Sequence, residues 1–375
     1  MTLRSAVRLI LTAVFIPWLA SCALWERPLS ADEAALTPEQ RWAHENKVSV
    51  GRLMDLDARA PNLEPREKEI VLAYHRGVSL KHLDRVKAKR LNQFTPDDVD
   101  LFAAWLQQVE PSLQARVRLI ALKGLGQKYN IFLLGEAPVE IWDPQPLYTF
   151  EQSDCVVFVE HVYALALAYD WRSFFALLQR IRYKNGEISN LTRNHFSLVD
   201  WDTNNAWLVR DISRELAGER ARGVQETSGR RRFFAKNKGI PPALYETMEE
   251  STVQTWYVPA DVVPDILDQL QDGDLIHVIR ANDKGVGWCQ HFGLVIRGED
   301  GSVNMLHSTP PRVKIQTIQS YLDGQARANE RRREKGETPF VGLKFLRLTD
   351  DPIAALKALD GPDAPLVTAP RGLYR

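Results

Sequence analysis

An α+β fold, with helices first and an antiparallel sheet after them, is predicted by three features of this 375-residue sequence. Segments of helical period fill residues 37–128, an apolar helix of roughly four turns opens at Cys155, and short β-rich runs separated by turn residues follow from Leu275 onward. Hydrophobic residues make up 45% of the chain, which supports a real core at this length. The 48 basic residues are balanced by 48 acidic ones, so the bulk charge points to no nucleic-acid partner.

Taken in order, Arg4 and Arg8 precede an apolar run at 9–19 that is too short to span a bilayer as a stable helix and reads as an export signal. The run ends in Leu19-Ala20-Ser21-Cys22, which resembles the lipobox of bacterial lipoproteins. That resemblance implies cleavage before Cys22, acylation of its sulfur and a membrane anchor through the N-terminal lipid. Ala23 in the next position points to the periplasmic face of the outer membrane in a host with two membranes. Residues 23–36 lack periodicity and read as a tether. Thr37-Pro38-Glu39-Gln40 has the form of a capping box with Pro at the first helical position, and Thr95-Pro96-Asp97-Asp98 repeats the Thr-Pro start. With breaks at Pro61 and at Phe94-Thr95-Pro96, residues 37–118 are expected to be an α-helical N-terminal region.

Ser153-Asp154 opens the apolar helix expected at 155–169, hydrophobic nearly all round and therefore buried. A second helix, at 171–183, stops at Lys184-Asn185-Gly186. Helix and loop are expected to about Gln254, and then strands at 275–280, 292–297, 303–307, 313–318 and 341–346 in an antiparallel meander. Residues 325–338, with Arg331-Arg332-Arg333, read as a charged, solvated loop or helix.

If Cys22 carries lipid, only Cys155 and Cys289 remain as a bridge or a working thiol. Cys155 lies in the first turn of its helix, where the helix N-terminus favours the thiolate, as a nearby imidazolium would. His291 opens one strand and His307 ends the next, with Gly298-Glu299-Asp300-Gly301 as the turn between them. Pairing at residue sums near 599 brings His307 within about one position of facing His291, so that one ring orients the other. Asp274, at the start of the 275–280 strand, is a weaker candidate for orienting a ring. Taken singly, Cys155 reads as a small buried hydrophobe and each His as an ordinary sheet residue; their combination favours thiol catalysis.

Asp154-Cys155-Val156-Val157-Phe158-Val159-Glu160, Asp272-Gly273-Asp274-Leu275-Ile276 and His291-Phe292-Gly293-Leu294-Val295-Ile296 resemble the three signatures of the NlpC superfamily of papain-like cell-wall hydrolases. Leu125-Gly126-Gln127-Lys128-Tyr129 and Arg182-Tyr183 with Gly186 are similar to elements of its N-acetylmuramoyl-L-alanine amidase-like branch. The likeness covers roughly residues 119–346. It implies a papain-like core at 119–350 followed by a tail at 351–375, with Cys155 as nucleophile, His291 as base and His307 as the polar third residue. Asp154, Tyr129 and His195 are substrate-site candidates, with packing roles for Tyr129 and His195 as the alternative. The His195-Phe196 and Asp200-Trp201 element departs from the branch in spacing.

Cys289 precedes His291 by two residues, so a regular strand would turn both side chains to one face; that parity raises an oxidative lock with Cys155, beside the leading reading of Cys289 as an unbridged packing residue. The mechanism implied is acyl transfer without metal or cofactor, acting on peptidoglycan or muropeptides. The bond expected to be cut is the lactyl–L-alanine amide, with the D-glutamyl–diaminopimelate bond as the alternative. A non-catalytic wall-binding lipoprotein and a lipid acyltransferase are the readings of other classes. Oligomeric state is not legible.

Overall fold

The computed structural model describes residues 35–60, 62–236 and 239–361. The expected export signal, the lipid site at Cys22 and nearly all of the tether lie outside them. The chain divides into two units, Met1–Asp55 and Leu56–Arg375. Helix α1 (Pro38–Glu45) belongs to the first, and α2 (Val50–Arg59) crosses the division. Thr37 forms the capping box expected of it: its hydroxyl accepts from the Gln40 N–H at 3.2 Å, and the Gln40 side chain accepts from the Thr37 N–H at 2.9 Å.

In the second unit, α3 (Pro65–His75), α4 (Leu80–Ala88), α5 (Pro96–Val109) and α6 (Leu113–Lys123) precede the catalytic candidates. Thr95 and Asp98 cap α5 reciprocally. Helix α6 runs straight across the boundary expected between 118 and 119, burying Val117, Ile120 and Ala121. The helical region therefore leads into the core without a linker.

A short parallel pair, β1 (Lys128–Tyr129) with β2 (Gln152–Ser153), introduces α7 (Cys155–Leu167) and α8 (Trp171–Arg182). The remaining strands form one antiparallel sheet of eight. They are β3 (Val209–Asp211), β4 (Arg222–Thr227), β5 (Thr252–Pro259), β6 (Leu275–Ala281), β7 (Gly287–Arg297), β8 (Val303–His307), β9 (Lys314–Thr317) and β10 (Phe340–Leu348), in the order β4-β5-β10-β6-β7-β8-β9, with β3 on β10. Strands β6 to β9 form the expected meander. The departure is β10, which returns to lie between β5 and β6. Strands β3 and β4 occupy a stretch expected to be helix and loop, and β5 begins at its end, ahead of the first strand expected at 275. In β4 only Val224 and Glu226 are buried, so its apolar alternation is too short to read as a strand.

Each face of the sheet is covered by a helix. On one face Ile276, Val278, Val295, Met305 and Phe345 pack with Ile318, Tyr321 and Leu322 of α9 (Ile318–Glu334). Helix α9 resolves the charged segment at 325–338 as largely helical. Against the other face lies α7, whose Tyr163 hydroxyl donates to the Gly273 carbonyl at 2.8 Å. The expected tail is partly structured, since α10 (Pro352–Asp360) buries Leu356 and its Asp360 accepts from Arg180 Nε and Nη2, both at 3.1 Å. Among the described residues no helix is long and apolar enough to cross a membrane.

Candidate active site

Cys155 is the first residue of α7, and Asp154 is its N-cap, with Oδ1 accepting from the N–H groups of Val156 at 2.9 Å and Val157 at 2.8 Å. That carboxylate oxygen is thus spent on the helix start rather than offered to a ligand. The Ser153 hydroxyl, one residue earlier, lies 2.9 Å from both Gln127 Oε1 and Ser308 Oγ and can donate its one hydrogen to either, while Ser308 Oγ donates to the Ser153 carbonyl at 2.8 Å. The start of α7 is in this way stapled to the residue after His307. The segment around Gly126 (φ +83°) adds a second tie: Gly126 N–H reaches the Val313 carbonyl at 3.0 Å, and Tyr129 N–H reaches the Pro311 carbonyl at 3.1 Å. Tyr129 pairs with Ser153 and is thereby brought to the same place.

His291 and His307 come together, though not through the register expected. Strands β7 and β8 pair with residue sums of 600, as in Leu294↔Leu306 and Val295↔Met305. Continued by one step, this sets His307 opposite Gly293 and diagonal to His291, on the same face; a sum of 599 would have put the rings on opposite faces. Gly293 has no side chain to intervene, and a Cβ there would collide with the terminal methyl of Met305. His291 Nε2 lies 2.7 Å from His307 Nδ1, with the rings near perpendicular at 77°. This contact leaves His291 Nδ1 as the nitrogen available to a thiol or substrate. His307 is buried, and its Nε2 has no hydrogen-bond partner among the described residues.

Tyr129, His291 and His307 line a polar cleft of about 510 Å³, walled on its far side by α9. The Cys155 sulfur sits beside the backbone N–H groups of Phe292, Cys155 and Val156. No hydrogen bond joins it to the His291 ring among the described residues. Cys155 is half-buried at the surface, but its surroundings are dense, and burial together with the Asp154 charge pushes the thiol up to about 12. Burial, with Lys314 close by, lowers His291 to about 4 and, together with its His291 neighbour, His307 to about 3. The resting site is therefore a neutral thiol and two neutral imidazoles. Tyr129 is also raised, first by burial and then by Cys155 and Asp154.

Three expectations are corrected by the geometry. His195 does not line this cleft. Its Nε2 meets the Asn190 carbonyl at 2.8 Å, its ring packs 4.5 Å from Phe233, and it borders a separate pocket of about 230 Å³ with Arg193 and Arg230. Asp274 is buried against Arg347 at 2.9 and 2.7 Å and orients no imidazole. Cys289 and His291 do not share a face: Val278 pairs with His291 while the adjacent Ile279 pairs with Cys289, so a bulge at Gln290 reverses the parity. Cys289 packs with Leu198, Val224 and Ile279 instead, and both Cys155 and Cys289 are free thiols.

Glu160, absent from the candidates above, is a further residue of this centre. Its carboxylate, inside α7, accepts from Arg182 Nη1 at 3.0 Å and from Trp201 Nε1 at 3.1 Å, all in the buried core beneath Cys155. Glu160 is marked in the sequence by breaking an otherwise apolar helix, and Arg182 by the Arg182-Tyr183 element.

Residues 120–324 match the model of a family described as AmiA-like, N-acetylmuramoyl-L-alanine amidase-like. The fold resembles that of a Legionella pneumophila protein of the family DUF1460, with a TM-score of 0.58 and 22% sequence identity, covering 68% of this chain and 94% of that one. A Bacteroides uniformis N-acetylmuramoyl-L-alanine amidase aligns with a TM-score of 0.48 and 19% identity over 64% of this chain and 99% of its own. No curated protein matches the sequence.

Proposed function

The chain belongs to the N-acetylmuramoyl-L-alanine amidase-like family, and from that premise we propose that it hydrolyses the lactyl–L-alanine amide of peptidoglycan fragments through a Cys155 thiol and a His291 base. The observation that carries this reading is the convergence of Cys155, at a helix start with its sulfur beside the Phe292 N–H, with His291, the residue before Phe292, whose ring is held by His307 at 2.7 Å. In the productive tautomer His291 Nε2–H donates to His307 Nδ1, leaving Nδ1 of His291 bare to take the thiol proton. The sulfur then attacks the amide carbonyl carbon. The oxyanion is met by donors such as the Cys155 N–H, one of the unpaired N–H groups of the helix start. His291 returns its proton to the departing amine as the C–N bond breaks, and a water deprotonated by His291 cleaves the thioester.

Because thiol and imidazole are both neutral at rest, proton transfer is coupled to substrate arrival, when water is excluded and the carbonyl enters. The same reading includes a papain-like core of the NlpC type, attachment of lipid to Cys22 and residence at the periplasmic face of an outer membrane. Incubation of the full-length chain in detergent with purified muropeptides, beside Cys155→Ala, tests it by mass spectrometry. Free stem peptide that vanishes in the variant is the expected result. A cut inside the stem would move the assignment to the D-glutamyl–diaminopimelate bond, and no cleavage under reducing conditions would favour a wall-binding or lipid-directed protein.

A further inference from the structure

The cleft that holds the two imidazoles carries positive charge with no carboxylate to answer it. No Asp or Glu side chain lines it among the described residues, whereas Lys314 and Arg327 do. Neither makes an ion pair or side-chain hydrogen bond among the described residues, and both are exposed. Several buried or half-buried cations elsewhere in the unit have carboxylate partners, as Arg182 has Glu160, Arg193 has Glu136 and Lys344 has Asp202. In this cleft two cations face the imidazoles with no carboxylate beside them among the described residues.

Their placement is set by secondary structure. Lys314 is the direct cross-strand partner of His307, which puts the two Cβ atoms about 4.5–5.5 Å apart on one face of the sheet. Arg327 lies on α9 in a stripe with Ser320 and Gly324, at i, i+4 and i+7, that forms the cleft wall. Gly324 leaves the space over which Arg327 extends, since a Cβ built there would meet nothing nearer than Arg327 Nη2 at 4.0 Å. An ammonium from the floor and a guanidinium from the wall approach the same volume beside the reacting groups.

We propose that Lys314 and Arg327 form a carboxylate subsite that selects stem peptides bearing a free carboxylate one residue beyond the scissile amide. The inference rests on the amidase reading given above. In a stem whose second residue is glutamate linked through its side chain, the free α-carboxylate stands about one to two Cα steps, roughly 4–8 Å, from the amide nitrogen that departs. A carboxamide at that position presents no charge and donates where these two side chains also donate. The substrate class is thus the isoglutamyl muropeptide, and the isoglutaminyl form is discriminated against.

The test compares kcat/KM of the full-length chain on two muropeptides identical except for carboxylate or carboxamide on the second stem residue. The wild type is expected to favour the carboxylate by about ten-fold or more, as the loss of one charge-assisted hydrogen bond implies. Lys314→Gln with Arg327→Gln brings the ratio near one. Lys314 also lies beside both imidazoles, so its removal alters the rate on either substrate; the ratio, not the rate, is the readout. Equal wild-type rates on the two substrates, or a ratio unchanged in the double variant, overturn the subsite. Cleavage of neither substrate would overturn the amidase reading instead. In that event calorimetric titration of both muropeptides into Cys155→Ala decides the subsite, preferential binding of the carboxylate that is lost in Lys314→Gln supporting it and equal binding overturning it.

Discussion

Arg182→Met is expected to be the most informative single change outside the cleft. Arg182 and Glu160 are 8% and 2% exposed in their side chains and meet at 3.0 Å, with Arg182 Nη2 also reaching the Leu134 carbonyl at 3.2 Å. Burial raises Glu160, and the guanidinium opposes that rise there and at Asp154. Removing the guanidinium strands a buried carboxylate in the helix that carries Cys155, which costs about 3–5 kcal/mol. Over the 56–375 unit, with a melting entropy of about 2.1 cal/mol/K per residue, each kcal/mol lowers Tm by about 1.5 °C, so a fall of about 5–8 °C is expected. Glu160→Gln combined with Arg182→Met removes both charges and should recover at least about half of that loss, a coupling that a double-mutant cycle isolates. Thermal unfolding at pH 7 gives the stability. Alkylation of Cys155 gives the coupling to the site, and it should slow in Arg182→Met because Asp154 loses the cation that offsets its charge beside the thiol. A Tm within about 1 °C of wild type, or a double variant no more stable than the single, would refute the assignment of Arg182 as a charge lock beneath the nucleophile.

Loss of the ring contact in His307→Ala should lower kcat/KM by about 10- to 100-fold with the fold intact, with partial rescue in His307→Asn, whereas His291→Ala should cost about 10³-fold or more; equal losses in both would remove the distinction between base and positioning residue. Gly293→Ala drives a Cβ into the terminal methyl of Met305, so it should cost about 1–3 kcal/mol in stability and displace His307, seen as a changed imidazole resonance. Acid should destabilise the fold. Burial holds His161 and His291 down to about 4 and His195 and His307 down to about 3, so between the unfolded value of 6.5 and those limits the unfolded chain binds protons the folded chain does not, and stability falls as pH falls. Buried His277, also held well below 6.5, adds to this effect, while the carboxyls raised by burial, Asp202 to about 6, Glu226 to about 7, and Asp154, Glu160 and Asp200, act in the opposite direction; the histidines titrate nearer neutrality when unfolded and dominate between about pH 5 and 7. A Tm higher at pH 5 than at pH 7 would contradict this balance.

The parts of the centre that follow from local rules were legible in the sequence. Asp154 is a preferred N-cap type directly ahead of a continuous apolar run, which sets Cys155 at the helix start, and Asp154 does cap it. The strand end at His307 follows from the apolar run before it, whereas His291, expected to open a strand, lies inside β7 because the polar residues 287–290 also pair with β6. What was not legible is what depends on pairing between strands. A one-residue change in register, from a sum of 599 to 600, decides whether the two rings share a face, and the bulge at Gln290 moves Cys289 to the opposite face from His291. Neither leaves a mark in composition. The position of β10 between β5 and β6 is likewise a long-range pairing, sequence neighbours having been the only guide to a meander.

The electrostatic setting is further still from the sequence, and it changes how the centre must work. Helix starts and imidazolium neighbours favour a thiolate, and on that basis alone Cys155 reads as activated. In the folded chain Asp154 spends its oxygen on the helix N–H groups and adds a negative charge beside the sulfur, while Lys314, opposite His307, disfavours protonation of either ring. Both influences oppose a resting thiolate–imidazolium pair. A carboxylate bound at Lys314 would cancel the second of them and raise the imidazole values toward the neutral range, so the group that identifies the substrate would also ease transfer of the Cys155 proton. A muropeptide with a free carboxylate should then shift the acid limb of kcat upward in pH relative to its carboxamide counterpart, and coincident limbs for the two substrates would separate recognition from activation.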